Sequence, residues 1–362
     1  MMRVLIWGAG SGAYKYLEGH MEMLDYIDIP AVIDGQGRNG TNEYFRMPNG
    51  KKIKKILPEQ ISNYQYDYIV VLSSYFDEIR DEAQYWKINN EKILQGAEFY
   101  ILWVGDGYWK FKQKYSIWLK YINYDITGEK SDYVWVFWLQ GYEAAPELVQ
   151  KCIESIKKYS EGLNFQFITM QNYKDYIEVP DYIICKLEAG IITPTFFSDI
   201  LRLLLLDKYG GFWLDATIFC LGDFKRLCIK EDFFMFHITD KNDGRIASSW
   251  FIYAKRGHIL VKKTLHLLLR YCMEMERMEH YYIFHFFFRM AAESCESEWS
   301  KVPAIEVTDC YLLLQKINDE FDIEELQKMA RKMPIQKLNR RRKIDKSKRD
   351  TYYYYITSKR EM

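Results

Sequence analysis

Ser198-Asp199-Ile200-Leu201-Arg202-Leu203-Leu204-Leu205-Leu206-Asp207-Lys208-Tyr209-Gly210-Gly211-Phe212-Trp213-Leu214-Asp215-Ala216-Thr217 holds a helix, a stop and a strand in one run. The spacing predicts a long helix from about Thr195 to Lys208, closed by Gly210-Gly211. Phe212–Phe219 then reads as a core strand, with Trp213, Asp215 and Thr217 on one face and Phe212, Leu214, Ala216 and Ile218 on the other. Asp199 and Arg202 stand three apart and share a helix face, while Leu201, Leu204 and Leu205 cover another. An intrahelical pair on a solvated face has the same spacing and contributes only roughly a few tenths of a kcal/mol. Asp215 is harder to explain blandly, because an acid in an apolar strand is expensive to bury unless it is paired or binds a cation. A carboxylate at a strand end, near an arginine on the preceding helix, can hold a divalent metal and a diphosphate together.

Outward from this run, the pattern is α/β on both sides. Tyr133–Trp138 is a strand; Val149, Cys152, Ile153 and Ile156 keep helical spacing with Pro146 at the first helical position; Gly162 ends that helix and Phe165–Met170 is the next strand. Helices follow near Leu260–Glu276 and Tyr281–Ala292. Toward the start, Val4–Trp7, Ala31–Ile33 and Tyr68–Leu72 read as strands alternating with helices, which implies a parallel sheet. Gly8-x-Gly10-x-x-Ala13 follows the first strand and opens a helix, and Asp34 ends the second strand where a ribose-binding acid could sit. A nucleotide in this first domain satisfies the pattern, as does a Rossmann-like domain with an empty or vestigial site. The expected organisation is a Rossmann-like domain over 1–105, a helical connector over 106–130, a second α/β domain over 131–335 and a basic, aromatic tail over 336–362.

Composition narrows the class. With 49% apolar and 28% charged residues in a chain of 362, the protein is globular and long enough for two domains. Fifty basic and fifty acidic side chains cancel, so no polyelectrolyte attraction to nucleic acid is expected. Seven cysteines without a CxxC pair read as buried free thiols of a reducing cytoplasm. No signal peptide or transmembrane helix is expected. The histidines show no HxH or HExxH spacing, so zinc is not supported.

The residues carry a resemblance to a family. Ser198-Asp199-x-x-Arg202 and Tyr209-Gly210-Gly211-Phe212-Trp213-Leu214-Asp215-Ala216-Thr217 resemble the sugar-binding region of capsular polysaccharide synthesis glycosyltransferases, relatives of DxD-containing mannosyl- and galactosyltransferases. Trp135-Val136-Phe137-Trp138-Leu139-Gln140-Gly141, and Ala145-Pro146-Glu147-Leu148-Val149 through Cys152 and Ser155, resemble the family's opening strand and helix. The likeness continues through Asp181-Tyr182-Ile183 to Ile191, then Trp250-Phe251-Ile252 and Tyr282-Ile283-Phe284-His285, covering about 131–290.

The resemblance implies a GT-A-like domain that takes a nucleotide-diphosphosugar donor and a glycan or lipid-linked glycan acceptor, with retention of configuration. By that analogy Trp138, Gln140 and Gly141 lie near the nucleotide, Asp199 and Arg202 hold donor-sugar hydroxyls, Trp213 and Thr217 complete the donor set, and Asp215 is the first DxD acid. Thr217 replaces the second acid, as capsular members tend to show. A divalent ion, Mn²⁺ or Mg²⁺, would then be held by Asp215, the diphosphate and another residue, with His285 as the candidate; a hydrogen-bonded core histidine is the alternative. Two rival functions stay open: a nicotinamide-dependent oxidoreductase or epimerase using Gly8–Ala13, and a non-catalytic sugar-nucleotide-binding subunit. The tail carries Lys337, Arg340, Arg341, Arg342, Lys343, Lys346, Lys348 and Arg349 against Asp345. It reads either as a solvated segment or as an electrostatic foot on the anionic inner face of the plasma membrane.

Overall fold

The computed structural model describes residues 1–35, 43–121, 128–228, 230–340 and 344–358. The chain divides into two compact units: Met1–Trp109 with Asn242–Gly244 and Glu279–Tyr282, and Lys110–Lys241 with Arg245–Met278 and Ile283–Met362.

The first unit contains β1 (Met2–Trp7), α1 (Ser11–Gly19), β2 (Ile27–Asp28), β3 (Val32–Ile33), β4 (Tyr44–Arg46), β5 (Lys52–Ile56), β6 (Tyr68–Val71), α2 (Phe76–Tyr85) and β7 (Ile93–Gln95); α3 (Gly96–Tyr115) carries the boundary between units. Strands β5, β3, β1, β6 and β7 are parallel neighbours in that order, β4 pairs antiparallel at the β5 edge, and β2 pairs with the start of β1. Among the five parallel strands the spatial order is third, second, first, fourth, fifth, the order of doubly wound sheets, and it reverses between β1 and β6. Val4 to Trp7 are fully enclosed because β1 lies at the centre of this sheet. Gly8 then turns the chain at φ 121°, and a Cβ there would stand 3.2 Å from the Leu72 carbonyl oxygen.

The second unit contains β8 (Tyr133–Phe137), α4 (Glu147–Tyr159), β9 (Asn164–Ile168), α5 (Asp181–Glu188), α6 (Pro194–Tyr209), β10 (Gly211–Leu214), β11 (Ile218–Cys220), β12 (Phe233–His237), β13 (Ala247–Ala254), α7 (Ile259–Glu274), α8 (Ile283–Ser294), α9 (Glu296–Trp299), α10 (Leu312–Gln315), α11 (Ile323–Lys332), β14 (Ile335–Lys337) and α12 (Tyr352–Thr357). Its main sheet runs β12-β13-β10-β8-β9; β9, β8 and β10 are parallel, and β13 and β12 turn antiparallel at the other side. Strands β11 and β14 form a separate antiparallel pair. The core joins Val134 and Val136 of β8, Phe212 and Leu214 of β10, and Phe234, Phe236 and Phe251 of β12 and β13, against Val149, Ile153 and Ile156 of α4.

Four sequence expectations change. Phe212–Phe219 is not one strand: β10 stops at Leu214, Asp215–Thr217 turn, and β11 begins at Ile218. The turn closes through the Ile218 N–H donating to the Asp215 carbonyl at 2.9 Å, while the Asp215 N–H donates to the Trp250 carbonyl at 2.9 Å. Pro146 caps α4 from outside, with ψ 146°, instead of occupying its first turn. Of the seven free cysteines, Cys152, Cys220, Cys228, Cys272 and Cys310 are buried, but Cys185 is exposed and Cys295 is half-buried. In the connector, α3 and a short 3-10 turn over Ser116–Tyr121 are helical; 122–127 lie outside the described residues.

The fourth change concerns the tail: 345–350 are exposed, as a solvated segment would be, but 335–338 and 351–357 on either side pack into the domain. β14 is stitched to β11, and Leu338, Tyr352, Tyr353 and Ile356 pack into a second core cluster with Leu148, Cys152, Phe219, Leu313 and Leu326. A segment whose apolar residues are buried this way is held by the hydrophobic effect, whatever its net charge. Lys346 lies 5.8 Å from the Tyr353 ring centre. Arg341, Arg342 and Lys343 lie outside the described residues. Among the described residues, no helix is long and apolar enough to cross a membrane.

Candidate active site

The site of the second unit is built where the chain leaves β10. Helix α6 is started by Thr193, whose hydroxyl accepts the Phe196 N–H at 3.1 Å, with Pro194 in its first turn. It ends at Gly210, with φ 71°, and Gly211 follows with φ 97°. A Cβ on Gly211 would stand 2.3 Å from the Tyr133 carbonyl oxygen, and one on Gly210 would stand 2.6 Å from the Arg256 nitrogen. The two glycines therefore let β10 enter the sheet beside β8 directly after the helix, which sets α6 and the Asp215 turn side by side.

On α6, Arg202 is almost fully buried, its side chain only 3% exposed. It donates from Nη1 to Asp199 Oδ1 at 2.5 Å and from Nη2 to Asp215 Oδ1 at 3.2 Å. Its guanidinium lies 5.1 Å from the Trp213 ring centre and 5.4 Å from that of Phe284 on α8. Such flanking suits a planar, weakly hydrated cation. Arg202 Nε has no hydrogen-bond partner among the described residues. The solvated-face reading of the Asp199–Arg202 pair is thus excluded by burial.

Asp215 receives Trp213 Nε1–H at 3.0 Å on Oδ1. On Oδ2 it receives Lys337 Nζ at 2.8 Å, and Lys337 also donates to the Thr217 hydroxyl at 2.6 Å. Lys337 comes from β14, where it pairs with Ile218, and the next residue's N–H donates to the Thr217 carbonyl at 2.9 Å. The two carboxyls are pushed in opposite directions. Burial raises Asp199 to about 7; Arg202 opposes this and Asp215 adds to it. Burial also disfavours ionised Asp215, but Lys337 and Arg202, with the hydrogen bonds from Lys337 and Trp213, outweigh it and hold the carboxyl below its ordinary value.

Trp138 follows the end of β8, with its N–H donating to the Ile168 carbonyl at 3.1 Å, and is half-buried. Gly141 closes the next turn with φ 87°, its N–H donating to the Trp138 carbonyl at 3.1 Å; Gln140 between them is exposed. Arg340, three residues beyond Lys337, lies 5.5 Å from the Trp138 ring centre. The carboxyl ends of β8 and β10 thus carry an aromatic ring and an acid; β14 brings Lys337 to the acid, and the residues just after it bring Arg340 to the ring. Ligands of open α/β sheets bind at such strand ends. Lys337 and Arg340 entered the sequence reading only as tail charge, and Phe284 only as a neighbour of His285.

His285 is placed differently from Asp215's partners: its Nδ1 is 3.0 Å from the Ala247 carbonyl oxygen, the bond a core histidine makes. No group of three or more His, Cys, Asp or Glu side chains among the described residues could hold a metal ion. The donor set around Asp215 does not fit a resident divalent ion. It offers one carboxylate and one hydroxyl, and an ammonium and a guanidinium already hold the carboxylate, whereas such ions take several oxygen ligands.

In the first unit, Gly8 and Gly10 form the turn between β1 and α1, with Gly10 capping the helix, and Ala13 is fully buried beneath it. The Asp34 carboxylate is engaged by Lys55 at 3.1 Å.

A family model described as capsular polysaccharide synthesis protein matches residues 108–356. The chain belongs to the capsular polysaccharide synthesis protein family. The match spans α6, the Asp215 turn and β14, so Lys337 and Arg340 lie inside the family's domain and not beyond it. Residues 1–94 match a second model, described as C2185-like, N-terminal. The O-glycosyltransferase braB of Annulohypoxylon truncatum is 24% identical over 172 residues, 43% of this chain and 40% of that protein. The chain thus spans less than half the length of that relative. A solved structure titled PaToxG Glycosyltransferase covers 72% of this chain and 96% of its own at 12% identity, with a TM-score of 0.35.

Proposed function

We propose that this chain is a glycosyltransferase. It moves a sugar from a nucleotide-diphosphosugar donor to a glycan acceptor, free or lipid-linked, in capsule or surface polysaccharide synthesis, on a GT-A-like second domain and with retention of configuration. The observation that carries the reading is the buried Arg202 held between Asp199 and Asp215, with Lys337 on the far side of Asp215 and Trp138 at the neighbouring strand end. Arg202, fixed by two carboxylates and two rings, is a preorganised charge that need not reorient as the donor breaks. The half-buried Trp138 ring offers a face for the base. Asp199 offers a carboxyl oxygen to a sugar hydroxyl.

In the reaction, the bond between the anomeric carbon and the diphosphate oxygen breaks, and the acceptor oxygen bonds to that carbon on the same face. The acceptor's proton passes to the departing diphosphate. Positioning and stabilisation of the diphosphate carry most of the acceleration. The oxidoreductase reading rests on the glycine loop of the first unit and leaves Asp199, Arg202 and Asp215 without a role.

The test is a panel of nucleotide sugars assayed for release of nucleoside diphosphate, with and without glycan acceptors. Release from one donor that is stimulated by an acceptor is expected. Nicotinamide turnover without any release would overturn the reading. Donor binding without release, across acceptors, would make the chain a binding subunit.

A further inference from the structure

A divalent ion held by an Asp-Ala-Thr turn would lie between the Asp215 carboxylate and the Thr217 hydroxyl. That point is filled. Lys337 Nζ lies 2.8 Å from Asp215 Oδ2 and 2.6 Å from Thr217 Oγ1. The backbone fixes where the lysine stem starts. β14 pairs with β11 in a register that sets Lys337 against Ile218, and the following Leu338 is buried. Lys337 is 18% exposed and Asp215 is 27% exposed, so the pair faces solvent while Arg202 behind it does not. An ammonium has three N–H donors, and the described residues take two. The third suits one more oxygen.

The charges agree with this. Asp199 and Asp215 face Arg202 and Lys337, two acids against two bases. A divalent cation entering the turn would meet the ammonium directly and would have to displace it from both oxygens. A diphosphate arriving there meets a cation already in position. Thr217 fits the same logic, since a hydroxyl accepts from an ammonium well, whereas a second carboxylate would draw in a metal.

We propose that Lys337 is the diphosphate-binding cation of this site, taking with its ammonium the position between Asp215 and Thr217 at which a divalent ion would be chelated, so that donor binding needs no metal. The inference rests on the nucleotide-diphosphosugar reading above. The diphosphate could belong to the donor or to a lipid-linked acceptor. Trp138, with Arg340 over its ring, favours the donor, whose base needs an aromatic face.

The experiment is calorimetric titration of the full-length protein with UDP, GDP, ADP, CDP and dTDP, and with farnesyl diphosphate, each in excess EDTA and again with Mn²⁺. One nucleoside diphosphate is expected to bind with affinities that agree within about twofold in the two conditions, far below the tenfold that marks a lost interaction. Lys337→Met keeps the stem and removes the charge. It should weaken that binding about 10- to 100-fold in EDTA, the range of a charge-assisted hydrogen bond, and Mn²⁺ should restore part of the loss because the chelating oxygens are then vacant. Lys337→Arg should keep metal-free binding. The wild-type comparison stands alone if Lys337→Met does not fold. Wild-type binding seen only with Mn²⁺ would overturn the inference and leave the donor reading intact. Tighter binding of farnesyl diphosphate than of every nucleotide would overturn the assignment to the donor. No binding of any diphosphate in either condition would overturn both the inference and the reading beneath it.

Discussion

Replacing Arg202 by lysine keeps a positive charge on α6 and removes the fork. In the folded chain the guanidinium spans two acceptors, Asp199 Oδ1 at 2.5 Å and Asp215 Oδ1 at 3.2 Å, from two different nitrogens. A lysine in the same 3%-exposed slot, between the Trp213 and Phe284 rings, has one nitrogen on a shorter stem and keeps one of the two pairs. The lost charge-assisted hydrogen bond costs about 2 kcal/mol, and the abandoned carboxylate keeps its desolvation. For a domain of this size, about 2 kcal/mol lowers the melting temperature by roughly 4–8 °C. The same amount lost from the transition state slows transfer about 30-fold. Arg202→Met removes the charge altogether and should be worse, by about 3–5 kcal/mol of stability. The assays are thermal melting of both variants and turnover at saturating donor and acceptor. Arg202→Lys melting within a degree or so of wild type, with turnover within about twofold, would refute the reasoning, because Arg202 would then be a replaceable point charge.

Asp215→Asn should separate binding from transfer: two cations lose their counter-charge, so nucleoside diphosphate binds more tightly by calorimetry while turnover falls by about 10²-fold, the size of a lost preorganised electrostatic contact. Asp199→Asn tests the carboxyl that burial raises to about 7. Because the folded group binds its proton more tightly than the unfolded one, wild-type stability from this group is full below about pH 4 and is lost as pH rises through about 7. Urea midpoints across that window should therefore show the variant gaining on wild type as pH rises, and a constant gap would count against it. Gly211→Ala places a Cβ 2.3 Å from the Tyr133 carbonyl oxygen at φ 97°, and should cost about 3 kcal/mol or more, read as a lower melting temperature or loss of soluble protein.

Local pattern carried much of the architecture. Apolar runs of strand length, helical spacing and glycine stops located β1, β8, β9, α6, α7 and α8 to within a few residues, and the start of β10, because burial on one face or both writes itself into the order of side chains. The short strands β2, β4, β5 and β7 escaped notice. Lys52–Ile56 reads Lys-Ile-Lys-Lys-Ile, which breaks strict alternation, and Ile27–Asp28 is two residues long, so neither has a pattern that outweighs the noise. The broken strand after Leu214 was hidden for another reason. Asp215-Ala216-Thr217 alternates as a strand should, and its turn is held by hydrogen bonds to Trp250 and within the loop that no local preference announces.

Asp199, Arg202 and Asp215 were legible because they are close in the chain: three residues apart on one helix, then a helix stop and one short strand away. Helix and strand geometry bring such residues together almost without reference to the rest of the protein. Lys337 is 122 residues from Asp215. Nothing in a cluster of tail lysines and arginines distinguishes the one that reaches a buried acid from those that face solvent. That distinction is made by the pairing of β14 with β11 and by the burial of Leu338 and Tyr352 beside it, contacts between distant segments that exist only once the core has closed. The same closure turns an intrahelical Asp–Arg spacing, common on wet surfaces, into a buried charge network, since burial depends on which elements cover α6 and not on the order of residues within it.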